Sequence, residues 1–161
     1  LPLIDCRTKV RWIPLAIVLA GAASTLFLPQ QYAQSQEQSA TLNRLSRAIA
    51  PNVDNKTKCL WVFDGPTSLY TLSGSCLPTR YIYPDHLNNA LERNALGLEQ
   101  TDEVARILAN RPPIIVTADT KFTIQNEDAG QLVERAVTDH YRELTNGVLH
   151  GRTIRVWKRI D

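Results

Sequence analysis

The chain has 161 residues, 43% of them hydrophobic, and a formal net charge of +2. That length suits one domain of ordinary size with a short appendage. The positive excess sits at the start, in Arg7, Lys9 and Arg11, and from Pro29 onward acids and bases balance. The clustered basic face of a nucleic-acid binder is therefore missing, so no nucleic-acid partner is expected. The chain starts at Leu1 and holds no methionine, which leads us to expect a fragment or a processed product.

The first element in chain order is Trp12 to Leu28, an uncharged run reading WIPLAIVLAGAASTLFL. At a rise of about 1.5 Å per residue it is near the lower limit for crossing a hydrocarbon core of about 30 Å. Pro14 falls in the first turn, where its missing N–H does little harm. Arg7, Lys9 and Arg11 precede the run, and no Lys or Arg follows until Arg44. The positive-inside rule then places residues 1–11 in the cytoplasm and everything after Pro29 outside it. A secretory signal peptide and a buried core helix are the competing readings of the same run. The transmembrane reading is preferred on length and flanking charge, with the lipid bilayer as a partner.

Residues 29–58 read as a helical stalk or linker. Leu42, Leu45 and Ile49 are spaced to share one helical face, and Pro51 ends the helix. Asn55-Lys56-Thr57 matches the N-glycosylation pattern, a triplet that is common by chance.

Residues 59–161 alternate strand and helix signals and define the expected folded domain. Cys59-Leu60-Trp61-Val62-Phe63 is an apolar run of strand length, ended by Asp64-Gly65-Pro66, with Pro66 suited to open a helix. Leu69 and Leu72 mark the buried side of that helix and Gly74 its end. Tyr81-Ile82-Tyr83 reads as a second strand stopped by Pro84. Asp85 then caps a helix running toward Gly97 with Leu87 and Leu91 inward. A further helix opens at Thr101-Asp102-Glu103, with acids in its first turn and a stripe of Val104, Ile107 and Leu108. Arg111-Pro112-Pro113 stops it, and Ile114-Ile115-Val116-Thr117 is the best strand, β-branched and apolar as in a strand buried on both faces.

The best helix follows a loop containing Phe122 and Ile124. Ala129, Leu132, Val133, Ala136, Val137, His140 and Tyr141 recur at helical spacing, with Glu127 and Asp128 at its start. The end reads as a hairpin: a strand around Arg142 to Thr145, a turn near Asn146-Gly147, and a strand from Thr153 to Ile160 with Ile154, Val156 and Ile160 on one face. Together these elements predict an α/β fold: an N-terminal transmembrane helix plus a small Rossmann-like three-layer domain with a mostly parallel sheet and a C-terminal antiparallel hairpin. No glycine-rich loop follows the first strand, so no dinucleotide or other cofactor is expected.

The chemistry-bearing residues are few. Cys6, Cys59 and Cys76 lack the spacing of a zinc site or redox pair. If the strands near Cys59 and Cys76 are parallel neighbours, the two thiols share a sheet edge. Outside the cytoplasm they would then form a disulfide worth about 3 kcal/mol; two buried free thiols are the alternative. Cys6, on the cytoplasmic side, should stay reduced. Asp64 and Asp119 each follow a strand and would project at the carboxyl edge, where α/β sites form. With Tyr70, Arg80 and Tyr83 they are the candidate substrate-binding residues; His86 is also close in sequence. The competing reading makes Asp64 and Asp85 helix caps, Tyr70 and Tyr83 packing, and Arg80 a surface charge. His140, on the apolar face of the best helix, reads as a core residue rather than a metal ligand. His86, His140 and His150 are scattered, and no metal site or nucleophile–base arrangement follows from spacing, so no catalytic residue is assigned.

The run from Cys59 to Leu87, CLWVFDGPTSLYTLSGSCLPTRYIYPDHL, resembles the extracytoplasmic C-terminal region of bacterial multispanning glycosyltransferases. These are the dolichyl-phosphate-mannose protein mannosyltransferase and aminoarabinose transferase superfamily. The shared elements are an apolar strand ending in Asp64-Gly65, a helix start at Leu69-Tyr70, a small-residue turn, and Thr79-Arg80-Tyr81 leading to Pro84. The preceding apolar span and the later IIVT strand sit in the expected order. The resemblance implies a parent enzyme that moves a sugar from a polyprenyl-phosphate carrier at the outer face of the bacterial inner membrane. This domain would lie in the periplasm over the membrane cavity, with the parent's other transmembrane helices and a lipid-linked sugar or acceptor as partners. The family's catalytic acid lies in an early outer loop to which nothing here corresponds, so the fragment alone should be inactive. The alternative is a single-span anchored, or secreted, non-catalytic α/β binding module of the cell envelope.

Overall fold

The structure of the protein is a computed structural model that describes residues 32–95 and 97–160. The expected membrane span, the cytoplasmic flank and Cys6 lie outside the described residues. Among the described residues, no helix is long and apolar enough to cross a membrane.

Residues 32–49 are helical (α1) and pass into a 3-10 turn, Ala50–Asn52, that contains Pro51. The compact unit that carries the sheet begins at Ala40. Within it, Leu45 and Ile49 are completely buried and Leu42 packs beside them, as their common helical face requires. Then come β1 (Leu60–Val62), α2 (Ser68–Ser73), α3 (Asp85–Asn88), α4 (Gln100–Ala109), β2 (Ile114–Ala118), α5 (Glu127–His140), β3 (Tyr141–Leu149) and β4 (Arg152–Arg159).

The four strands form one sheet in the order β1-β2-β4-β3. Alternation along β1 and β2 sends their side chains to two cores, one on each face. Leu60, Val62, Ile114 and Val116 join Ile154 and Val156 of β4 beneath α1 and α2. Trp61, Phe63 and Ile115 face Val104 and Ile107 of α4 and Ala129, Val133 and Val137 of α5. The result is an α/β domain of three layers.

The sheet is mixed, not mostly parallel, and the Rossmann-like expectation fails with it. Only β1 and β2 run parallel, whereas β2/β4 and β3/β4 are antiparallel. The expected second strand at Tyr81–Tyr83 does not form. Tyr81 packs into one core and Ile82 into the other. Ile114–Ala118, longer and more apolar, takes the place beside β1. The helix expected from Asp85 to Gly97 is the four-residue α3 followed by a 3-10 turn, Ala90–Glu92. Leu91, expected inward, is therefore 75% exposed, and Leu72 of α2 is also exposed.

The C-terminal hairpin is present, but its turn lies at His150-Gly151 rather than Asn146-Gly147. Both turn residues have left-handed backbone, φ 52° and 75°, the conformation that a two-residue hairpin turn demands. Asn146-Gly147 instead sits inside β3, where α1 crosses it. A Cβ on Gly147 would stand 2.6 Å from Thr41 Cγ2 and 2.8 Å from Arg44 Nη2. Glycine serves close approach there, not a turn. Arg44 locks the crossing by donating from Nη1 to Thr145 Oγ1 (3.1 Å) and from Nη2 to the Asn146 carbonyl (2.7 Å).

Cys59 and Cys76 form the expected disulfide, although no strand follows Cys76 as the parallel-neighbour argument supposed. What aligns them is Cys76 N–H donating to the Asp54 carbonyl (2.8 Å) and Leu60 N–H donating to Ser75 Oγ (2.7 Å).

Candidate functional site

The carboxyl ends of β1 and β2 face the same edge because the two strands are parallel. The N–H groups of Phe63 and Asp64 both donate to the Val116 carbonyl (3.0 and 3.2 Å). Gly65 then takes φ 148°, with Val116 Cγ1 only 3.1 Å from where a Cβ would sit. Glycine at this point turns the chain away and leaves Asp64 at the end of the strand, 8% exposed.

Since β4 runs antiparallel to β2, its first residues arrive at this same edge. Arg152 is 6% exposed, and its Nη2 lies 2.6 Å from Asp64 Oδ2. Its Nε donates to the Thr120 carbonyl, and its guanidinium carbon lies 4.1 Å from the Phe122 ring centre. Gln125 Nε2 donates to the same Asp64 oxygen at 3.2 Å. One carboxylate thus gathers an arginine from the hairpin and an amide from the β2–α5 loop.

A buried amide network fixes that loop from its other end. Asn126 caps α5 by accepting from Ala129 N–H, and its Nδ2 donates to Gln100 Oε1 (2.8 Å). Gln100 Nε2 in turn donates to the carbonyls of His86 and Asn89, each at 3.0 Å. Asn126 N–H donates to the Asn88 carbonyl (2.7 Å) and Ala90 N–H to the Ile124 carbonyl (2.8 Å). Such a satisfied network holds two loops in one register where an unpaired amide would be costly.

Between the sheet edge and α5 lies a groove of about 460 Å³, lined among others by Asp64, Thr117, Gln125, Glu134, Thr138 and Trp157. Trp157 of β4 is half-buried against the second core and donates from Nε1 to Thr117 Oγ1 at 2.8 Å. A planar apolar surface therefore lies beside carboxylates, amides and hydroxyls, which suits a neutral, hydroxyl-bearing ligand.

Of the candidate residues named from sequence, Asp64 lies at the centre of this arrangement. Asp119 lies at the base of the same loop, but its carboxylate binds the chain. It accepts from Thr153 N–H (2.9 Å) while Asp119 N–H donates to the Thr153 carbonyl (3.1 Å). Hydrogen bonds from Thr153 and then Thr120 hold its carboxyl at about 2. Tyr70 is on the opposite face of the sheet. Its hydroxyl accepts from Val62 N–H (2.9 Å), and burial pushes it up to about 12. Arg80 stacks on Tyr81 at 4.9 Å, and Tyr83 is exposed, edge-on to His86 at 5.5 Å. Tyr70, Arg80 and Tyr83 do not line the groove. His140, expected in the core, is exposed at the end of α5.

Sequence reasoning missed Arg152, Gln125 and Trp157. Gly151 before Arg152 was the one local signal for the turn that delivers the arginine. Nothing local marks Gln125 or Trp157 as partners of Asp64.

The fold and site define a disulfide-stapled, three-layer α/β domain with a polar groove at the carboxyl edge of its parallel strand pair. Comparison of the chain with protein-family models, with curated proteins and with solved structures gives no match.

Proposed function

We propose that this chain is the periplasmic C-terminal binding domain of a bacterial inner-membrane glycosyltransferase that uses a polyprenyl-phosphate-linked sugar. In this reading residues 12–28 are its last span, and the groove between β2, β4 and α5 holds the acceptor side of the reaction. The catalytic acid belongs to another part of the parent. The observation that carries the reading is the groove itself, where Trp157 offers an apolar surface beside Asp64, Gln125 and Thr138. The Cys59–Cys76 disulfide supports an oxidising compartment, and the Cys59–Leu87 run supplies the resemblance to the transferases.

The test is transfer of labelled sugar from a polyprenyl-phosphate donor in membranes that contain the complete gene product. Trp157→Ala is expected to raise the acceptor KM by roughly tenfold, the scale of one lost aromatic contact, with little change at saturating acceptor. A reporter fused after Asp161 should be active only outside the cytosol. Transfer indifferent to Trp157 rejects the reading in favour of an envelope binding module, and cytosolic activity of that reporter rejects both.

A further inference from the structure

We propose that a second, smaller pocket on the other side of Asp64 binds one neutral, hydroxyl-rich ring, a single pyranose unit, with Phe122 as its stacking surface. The pocket measures about 160 Å³ and is lined among others by Asp64, Gly65, Asp85, Asn88, Phe122 and Arg152. That is well below the roughly 300–1,000 Å³ of sites for larger ligands, so it admits one ring and not a chain.

Three observations set the chemistry. Asn88 is 2% exposed, and its Nδ2 donates to the Phe63 carbonyl at 2.8 Å, which fixes the orientation of the amide. Its Oδ1 accepts from no group among the described residues. A buried acceptor without a donor is costly, and Asn88 lines the pocket, so a ligand hydroxyl that displaces the atoms sealing Oδ1 supplies the missing donor.

The second observation is charge. Asp64 is matched by Arg152, and Asp85, exposed on the wall, adds a carboxylate with no ion-pair partner among the described residues. A phosphate or carboxylate would be repelled there, whereas a neutral hydroxyl can donate to Asp85 and accept from the remaining N–H groups of Arg152.

The third is Phe122. It is 74% exposed although one face rests on the Arg152 guanidinium. An aromatic ring held in place at a polar rim matches the apolar C–H face of a sugar ring. The pocket shares Asp64 and Gln125 with the groove but opens on the other side of Asp64, and a pyranose site would serve this domain whatever its parent protein, so the proposal stands without the transferase reading.

The experiment is a titration of the full 161-residue chain, disulfide intact, in a detergent without a sugar headgroup. Methyl pyranosides of glucose, galactose and mannose are added and amide NMR shifts are followed. The expected result is a saturable shift for at least one glycoside, centred on Gly65, Asn88, Phe122 and Thr123. Phe122→Ala should weaken it by roughly three- to tenfold with an unchanged thermal melt, and Phe122→Trp should restore it. No saturable shift with any of the three glycosides, a shift with inorganic phosphate in their place, or binding indifferent to Phe122→Ala overturns the proposal.

Discussion

Arg152→Met is the sharpest perturbation of the site. It removes the cation that matches Asp64 and the donor to the Thr120 carbonyl. The two side chains are 7% and 12% exposed and meet at 2.6 Å. Taking one partner from such a pair leaves a buried carboxylate with Gln125 as its one remaining donor among the described residues. Breaking a buried pair costs about 3–5 kcal/mol. Asp64 borders two open cavities, so water can reach part of its charge and the lower end, about 3 kcal/mol, is expected. Urea unfolding with the disulfide intact, followed by circular dichroism and tryptophan fluorescence, measures the cost as a lower midpoint at unchanged slope. The double variant Asp64→Asn/Arg152→Met removes the stranded charge as well. It should be less destabilised than the sum of the singles, with a coupling of about 1–2 kcal/mol. A single-variant cost below about 0.5 kcal/mol, the range of an ordinary surface change, or strict additivity in the cycle, would refute the view that this pair organises the edge.

The remaining predictions address the frame around the site. Replacing Cys59 and Cys76 by serine opens a loop with a sequence separation of 17. Loop-closure entropy gives a loss of about 3 kcal/mol, and equal denaturation midpoints of variant and parent would contradict it. Gly65→Ala meets both a φ of 148° and Val116 Cγ1 at 3.1 Å. It should cost about 1–3 kcal/mol by strain and overpacking, read as a lower Tm. Gly147→Ala places a methyl against Thr41 and Arg44 and should loosen α1 from β3, seen as faster amide exchange in both elements; unchanged exchange argues against the close packing. Asp54 accepts hydrogen bonds from the N–H groups of Lys58, Thr57 and Lys56, and Asp119 from Thr153 and Thr120. Both carboxyls fall from an ordinary 3.8 to about 2. A depressed folded-state value means stabilisation that is present above 3.8 and is lost as pH falls through about 2. Acid titration of stability should therefore decline across that window, and Asp54→Asn with Asp119→Asn should flatten the decline.

What the sequence disclosed follows the reach of the interactions involved. Local periodicity and caps were legible. The α5 stripe of Ala129, Val133 and Val137 and the end of α2 at Gly74, with φ 69°, are where spacing and turn chemistry put them. Sheet order was not legible, because pairing is settled by competition among distant strands. Tyr81–Tyr83 is too short and Pro-bounded to compete with Ile114–Ala118 for the edge of β1. The Asn146-Gly147 signal misled because two demands on glycine look alike in sequence. A turn needs left-handed backbone, whereas the β3 crossing needs only the absence of a side chain.

That misplaced turn also explains why the site was hidden. With the hairpin reversing at Asn146-Gly147 and its second strand opening at Thr153, Arg152 falls at the end of a connection and has no defined place. With the turn at His150-Gly151, Arg152 becomes the first residue of β4, and the Ala118–Ile154 register carries it to the end of β1. There it meets Asp64, 88 positions earlier in the chain. Asp64 alone could be read as a helix cap or a ligand contact. Arg152 decides the matter: a carboxylate held by a buried guanidinium cannot cap α2, whose N-cap is Thr67. It becomes instead the shared wall of two cavities, and its neighbours Gln125, Asn88 and Phe122 take their places from the pairings that fix that wall. The chemistry of this edge therefore depends on hairpin register, and a one-residue slip between β2 and β4 would turn Arg152 to the other face of the sheet and dissolve the site.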